Sequence, residues 1–341
     1  MRRFSPPVQV PDPEIRVTPA EGFERDEISR DTLVELVPSG AIAEPMSTGE
    51  RIGSVVHGRY RLDELLGSGA MGAVFGGSDL HTRRRVAVKI LHDRHAQSGE
   101  HVARFLHEAQ ITQALSHPGV VEVIEAGRDD EGRWFMVIEH LEGEDLGSAL
   151  ERGAMPGSIV VEIGHQLLAT LAAAHGRGVI HRDVKPENIF LAQGPKGGSR
   201  ENVIRVKLLD FGIAKAPGIG SVHRTLEGVK LGTPHYMSPE QWRGESLDAR
   251  SDVWAAGAVL FAATMGEPPF DAEDIGALMD KVTREPAPSL AKLRPDLGPA
   301  FTDTIDRALA TEPLRRWVDA RAMAAALHTG GVRVDALDWD E

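Results

Sequence analysis

The sequence predicts an α+β protein of two lobes, a small β-rich lobe carrying one main helix and a larger helical lobe after it. Three observations carry this. The chain has 341 residues, more than a single core usually holds. Between Tyr60 and Leu91 apolar and polar residues alternate around short turns, the period of strands. After Gly143 the apolar spacing becomes helical and the segments lengthen.

Composition narrows the class. A hydrophobic fraction of 41% and a charged fraction of 26% are those of an ordinary globular protein. There is no cysteine, which excludes disulfides, thiolate metal sites and a Cys nucleophile and suits a reducing cytosol. A formal net charge of −13 argues against nucleic acid as a partner and leaves room for basic peptides. Met1-Arg2-Arg3 is followed by Pro6, Pro7, Pro11 and Pro13 instead of an apolar core, so no secretory signal is expected. The greasy run Trp254 to Met265 is too short for a membrane span. A soluble, cytoplasmic protein is expected.

Residues 1–56 mix Pro, Gly, Glu and Asp around one short apolar patch, Leu33–Val37, and are expected to form a disordered leader. Strands are predicted at Tyr60–Leu66, Ala73–Ser78 and Arg85–Leu91. A helix runs from about Glu100 to Ser116, with Phe105, Ile111 and Leu115 on its apolar face and His117-Pro118-Gly119 as its stop. Val120–Ala126 and Trp134–Glu139 are strands again. In the second lobe a long helix opens at Pro156-Gly157-Ser158, with Ser158 as cap, and ends near Gly176. Short strands at Val179-Ile180 and Ile189–Leu191 then bracket a polar loop. Val203–Leu209 is a return strand after a flexible turn at Gln193–Asn202. Helices are expected from Ser251 or Asp252 to Met265, and at Asp271–Glu285, Pro299–Ala310 and Asp319–His328, before an acidic tail at 329–341.

The polar loop is His181-Arg182-Asp183-Val184-Lys185-Pro186-Glu187-Asn188. It offers a carboxylate, an ammonium and an amide oxygen, the set that phosphoryl transfer needs: a proton acceptor, a charge to offset the moving group, and a Mg²⁺ ligand. A charged surface turn would have the same composition. Upstream, Leu66-Gly67-Ser68-Gly69-Ala70-Met71-Gly72-Ala73-Val74 is a glycine-rich loop between two strands. Glycines there let backbone N–H groups approach phosphate oxygens, although a tight hairpin without ligand would look alike. In dinucleotide folds such a loop opens a helix, whereas here a strand follows. Alternation puts Ala87 and Lys89 on one face of their strand, where a small residue admits a flat base and the lysine reaches phosphates. Glu108 on the following helix could pair with Lys89, and Asp210 in Leu209-Asp210-Phe211-Gly212 could join Asn188 as an oxygen ligand of Mg²⁺. Taken singly, a solvated lysine, a surface glutamate and an Asp-x-Gly turn are the plainer readings.

Together, in this order and spacing, these motifs resemble the eukaryotic-type protein kinases. Gly232–Gln241, Asp248–Trp254 and Gly266-Glu267-Pro268-Pro269-Phe270 resemble their bacterial serine/threonine (Hanks-type) branch, and the likeness runs from about Tyr60 to His328. It implies a kinase domain at 57–328, with an N-lobe at 57–141 and a C-lobe at 142–328.

The resemblance implies that Asp183 is the catalytic base and Lys185 the clamp on the transferred phosphoryl group. Asn188 and Asp210 would hold Mg²⁺, with Mn²⁺ able to replace it. Lys89, braced by Glu108, would bind the ATP phosphates beside Gly67, Ser68, Gly69, Ala70, Met71 and Gly72. Leu66, Val74 and Ala87 would roof the adenine pocket and Phe190 floor it, behind Ile138. The backbone of Glu139 and Leu141 would bond the base, and Asp145 would touch the ribose. His181 and Phe211 are expected to be packing residues, Asp252 to pin the catalytic-loop backbone, and Glu240 to pair with Arg316. Thr112, where an apolar residue is usual, would soften the seating of the helix.

The activity implied is transfer of the ATP γ-phosphate to Ser/Thr hydroxyls of protein substrates. Arg182 before the base implies a loop phosphate, with Thr225 first and Ser221 second as acceptors and Thr233 structural. Pairing as a homodimer would allow phosphorylation in trans. An ATP-binding scaffold is the competing reading, disfavoured because no motif residue is missing. A small-molecule phosphotransferase would lack the long Asp210–Glu240 segment.

Overall fold

The structure, a computed structural model, describes residues 51–69, 71–193, 204–211 and 234–327. Ala70, Gly212, Ser221, Thr225, Thr233, the leader expected at 1–56 except its last six residues, the turn expected at Gln193–Asn202 except Gln193, and the tail expected at 329–341 lie outside the described residues.

The N-lobe is a six-stranded sheet of order β1-β2-β3-β4-β6-β5, every pair antiparallel. The strands are β1 (Val55–Val56), β2 (Tyr60–Ser68), β3 (Gly72–Asp79), β4 (Arg85–Leu91), β5 (Val123–Arg128) and β6 (Trp134–Glu139). Period-2 alternation sorts their side chains. Val86, Val88 and Ile90 join Phe75, Phe135 and Val137 in one cluster. Leu91 and Met136 face the other way and meet Phe105 and Ala109 of α2 (Gly99–Leu115). Ser98 caps α2 through the His101 N–H. A short helix, α1 (Asp93–Ala96), precedes it.

Two expectations shift here. The fold begins before residue 57: Arg51 pairs with Asp93, β1 pairs with β2, and Val56 is fully buried in the sheet core. The six residues Arg51–Val56 carry too weak a pattern for sequence to separate them from a leader. Val120 and Val121 precede β5 instead of opening it. They lie beside β9 (Ile204–Leu208), where Leu208 donates its N–H to Gly119 O and Val121 donates to Leu208 O.

The C-lobe core is built on α4 (Gly157–His175) and α6 (Ala249–Met265). Every residue from Ser251 to Thr264 is buried, so α6 is wrapped on all sides. Asp248 caps it through the Arg250 N–H, which starts the helix two residues before the expected Ser251. Ser158 does not cap α4: it lies inside the helix, and Pro156 holds the cap position without a side-chain bond. Among the described residues α4 is apolar and long enough to cross a membrane, unlike the shorter run expected to be the greasiest. Over half of it is buried against α6 and α10 (Ala320–Leu327), as a core helix would be.

A second sheet, β7-β8-β9, sits between the lobes, with β7 (Gly143–Asp145) and β8 (Ile189–Gln193) antiparallel. Gly143 has φ +144°, and a Cβ there would lie 2.1 Å from Leu191 O. Only glycine permits that crossing. Val179-Ile180 forms no strand. The remaining helices are α3 (Leu146–Leu150), α5 (Pro239–Arg243), α7 (Ile275–Arg284), α8 (Leu290–Leu293) and α9 (Pro299–Ala308).

Candidate active site

The loop 181–188 leaves the end of α4 and enters β8, and α6 holds it from below. Asp252 accepts the N–H groups of His181 and Arg182 at 2.8 and 2.9 Å, and His175 Nε2 lies 2.8 Å from the same carboxylate. His181 is fully buried, and burial pushes its pKa down despite the nearby carboxylates. Its hydrogen bonds fit a neutral ring: Nδ1 accepts from the Asp183 N–H and Nε2 donates to Leu209 O. Its ring packs on Phe211 at 4.6 Å. Both residues are packing residues, as expected.

Asp183 is half-buried, and Asn188 donates Nδ2 to its carbonyl at 2.8 Å and to its Oδ2 at 3.2 Å. Lys185 Nζ lies 3.3 Å from the same Oδ2. With both amide protons on Asp183, Asn188 has Oδ1 left to serve as a cation ligand.

Across the cleft, Lys89 Nζ is 2.8 Å from Glu108 Oε1 and 2.8 Å from Asp210 Oδ1. Burial would deprotonate Lys89, but the two carboxylates outweigh it and hold its pKa above the usual value. Burial raises Glu108, and the Asp210 charge adds to it against the pull of Lys89, so its pKa is pushed up to about 7. Asp210 stands below the usual carboxylate range because Lys89 outweighs its burial. Its side chain keeps 56% of its surface accessible, so solvent screens that ion pair and it adds little stability. Arg182 and Asp210 have φ of +67° and +45°, strained for non-glycine residues and typical of functional positions. Thr112 is buried, but its hydroxyl donates to Glu108 O at 2.7 Å, so its own polar atom is satisfied.

The glycine-rich segment turns tightly from β2 into β3, with Gly67 opposite Val74 and Gly69 N–H bonded to Gly72 O. Its glycines differ in what they serve. A Cβ on Gly72 would lie 2.3 Å from Ile90 O, so strand packing dictates that glycine. A Cβ on Gly67 would meet nothing within 4 Å, and one on Gly69 only Gly72 O at 3.9 Å. The fold does not require those two, and the open space over them fits phosphate oxygens.

Around the cleft, Ala87 is buried and Val74, Ile138, Leu141 and Phe190 are half-buried, while Leu66 is exposed. Met71 packs against the cluster under α2. Glu139 spends its N–H on Glu122 O, which leaves its carbonyl for a base. Asp145 caps α3, its carboxylate accepting the Ser148 N–H and hydroxyl, so a ribose contact would compete with that cap. Among the described residues no three His, Cys, Asp or Glu cluster as a metal cage. Asn188 and Asp210 match the other mode, in which Mg²⁺ takes one or two protein oxygens and completes its shell with phosphates and water.

Three supporting residues had no signal in the sequence. Gln241 donates Nε2 to Arg182 O at 2.8 Å. Lys207 Nζ reaches Glu139 Oε1 at 2.5 Å. Gln166 bonds the backbone of Ile204 and Val206 in β9. Each acts on backbone or through a long-range contact, which no local pattern encodes.

A β-sheet lobe over a helical lobe, with a lysine–glutamate pair facing an Asp/Asn loop across the cleft, defines a protein kinase fold. The family profile "Protein kinase domain" matches residues 60–327. The chain is 38% identical to Serine/threonine-protein kinase pkn3 of Myxococcus xanthus, over 82% of this chain and 51% of that protein. It is 36% identical to PknA of Mycobacterium tuberculosis over 81% of this chain and 62% of that one. It is 33% identical to PrkC of Bacillus subtilis over 82% and 41%. The chain thus spans about half the length of these curated relatives. The crystal structure of the Mycobacterium tuberculosis PknI kinase domain matches with a TM-score of 0.60 at 28% identity, covering 81% of this chain and 97% of that one. The chain belongs to the protein kinase family, in its bacterial serine/threonine branch. That family implies ATP as substrate and a divalent metal.

Proposed function

We propose that the chain is a serine/threonine protein kinase that transfers the ATP γ-phosphate to Ser/Thr hydroxyls of protein substrates. The observation that carries it is the Lys89–Glu108 pair at 2.8 Å, with Asp210 on the same ammonium. A scaffold that had lost catalysis would have no need to keep that geometry along with Asp183, Lys185 and Asn188.

In this reading Asp183 accepts the proton of the attacking hydroxyl. Asn188 and Lys185, both in contact with its carboxylate, hold it aimed, so positioning supplies most of the rate. Lys89 binds the α/β-phosphates, and Gly67 and Gly69 let the backbone close over them. Asn188 and Asp210 hold Mg²⁺, or Mn²⁺ in its place, which when bound neutralises charge on the β/γ-phosphates. Lys185 offsets charge on the group in flight. The Glu139 carbonyl and Leu141 backbone bond the adenine between Ala87, Val74, Leu66 and Phe190.

The acidic chain and Glu187 favour basic peptide substrates. Thr225 and Ser221 remain the candidate activating acceptors, with Arg182 as the cation that would bind their phosphate and a homodimer as the vehicle for transfer in trans. The kinase domain includes Arg51–Val56, and the protein works in the cytoplasm.

Transfer from labelled ATP to the chain itself and to a basic acceptor protein tests this, with Asp183→Ala as control. Incorporation in wild type and its loss in the variant are expected. Equal signal from Asp183→Ala would refute the catalytic assignment, and tight Mg-ATP binding without transfer in wild type would favour the scaffold.

A further inference from the structure

At the end of β4 the chain makes two successive contacts with the glycine-rich loop. The His92 N–H donates to Met71 O at 2.9 Å, one rung beyond the Gly72–Leu91 pair. The His92 side chain then places Nε2 3.0 Å from Gly69 O. A carbonyl only accepts, so Nε2 carries the proton. His92 is also the N-cap residue of α1, and it makes no side-chain bond to that helix. Its ring serves the loop instead.

The next residue, Asp93, is held from outside the sheet. Arg51 Nη2 lies 3.1 and 3.0 Å from its two carboxylate oxygens, and the Arg51 side chain is only 9% exposed. Holding a long cation in one place so far from solvent is costly unless its partner is fixed. A run of contacts therefore leads from Arg51, through Asp93 and His92, to Gly69 in the loop.

We propose that His92 is a positioning residue for the glycine-rich loop, pinning the Gly69 carbonyl on the α1 side, and that Arg51 sets it through Asp93. The inference rests on the reading of 67–72 as the phosphate-binding loop. Glycine has more backbone freedom than any other residue, so ordering Gly67 and Gly69 over phosphates costs conformational entropy. A carbonyl turned toward the phosphates would also repel them. The imidazole removes both costs before nucleotide arrives. Whatever moves Arg51 would move the loop.

Two measurements on the full chain test this: Mg-ATP affinity by calorimetry in an Asp183→Ala background, and amide exchange of residues 67–72 without nucleotide. His92→Ala is expected to weaken ATP about three- to tenfold, the weight of one hydrogen bond, and to speed exchange in the loop. His92→Gln, which keeps a donor, should recover most of both. In otherwise active protein, His92→Ala should raise KM for ATP and leave KM for the peptide acceptor unchanged. Arg51→Ala should act in the same direction, and the double variant should be no worse than His92→Ala. Unchanged affinity and exchange in a folded His92→Ala protein would overturn the proposal, and additive effects of Arg51 and His92 would overturn the relay. Wild type that binds no Mg-ATP would overturn the kinase reading and this inference with it. Normal wild-type binding with no effect of His92→Ala would overturn the inference alone.

Discussion

Arg316 grips Glu240 with both terminal nitrogens, Nη1 at 2.7 Å and Nη2 at 2.9 Å, where the arginine side chain has no solvent exposure. The remaining donors are also spent: Arg316 bonds the carbonyls of Arg250, Ala310 and Thr311 and lies 4.9 Å over the Trp254 ring. Glu240 in turn accepts the Ser251 hydroxyl. One guanidinium thus joins α5, α6 and the turn after α9.

Breaking that pair from either side leaves an uncompensated buried charge. Glu240→Ala should cost about 3–5 kcal/mol in equilibrium denaturation. Arg316→Ala should cost more, because three carbonyls lose their donor as well as the carboxylate. The order of the two variants is the check. A smaller loss for Arg316→Ala would mean that water replaces the guanidinium.

The same pair gives an acid-sensitive stability. Burial raises the Glu240 carboxyl, but the Arg316 hydrogen bonds and charge outweigh it, and the folded value lies below the usual one. A depressed carboxylate contributes fully above its unfolded value of about 4.3 and loses the contribution as pH falls through its folded value. Asp79 acts in the same direction, held low first by its bonds from Arg59. The denaturation midpoint should therefore fall as pH drops below about 4. Glu240→Gln should flatten that slope.

Much of this was legible from the sequence because kinase chemistry sits on short motifs. Asp183, Lys185 and Asn188 share one loop, so their spacing alone brings them together. Lys89 on β4 and Glu108 on α2 could be read singly as a solvated lysine and a surface glutamate, and it was the resemblance that favoured their pairing. The Glu240–Arg316 pair was legible only through the resemblance. Arg51–Val56 was not legible, since a two-residue strand shows no period. Asp145 was read as a ribose contact, and its carboxylate also serves an Asp-x-x-Ser helix start, a local role that the ribose reading passed over. His92, Lys207 and Gln241 act on carbonyls or on partners far away in sequence, and residue identity says nothing of such partners.

Lys207 yields a prediction at the hinge. Its ammonium bonds Glu139 Oε1 and lies 3.3 Å from Val120 O, and the Glu139 carboxylate also accepts the Glu122 N–H at 2.8 Å. The residue whose carbonyl would meet adenine is thus tied to the strand leading to Asp210. Lys207→Met keeps the stem and removes the charge. The partners are partly solvated, so the loss should be modest, a rise of about two- to fivefold in KM for ATP with kcat nearly kept. Steady-state kinetics at varied ATP would show it, and a fall in kcat alone would place the effect at the catalytic loop instead.

Asp252 makes the opposite split. Its carboxylate receives the N–H groups of His181 and Arg182, two consecutive donors just before Asp183, with His175 behind it. Arg182 is held at φ +67°, a conformation an unsupported arginine would leave. Asp252→Asn keeps the volume but must turn an NH₂ toward one donor, so one N–H loses its acceptor in a buried site. The loop backbone would then relax and carry Asp183 out of line with the acceptor hydroxyl. Displacements of about 1 Å cost on the order of 100-fold in rate. The Asp252 carboxylate bonds His175, His181 and Arg182 and not Lys89 or the glycine-rich loop, so nucleotide affinity should hold within about twofold, less than half the weight of one hydrogen bond. Single-turnover transfer and calorimetric ATP binding on the same preparation separate the two effects. A parallel loss in both would show that Asp252 supports the whole lobe and not the catalytic loop alone.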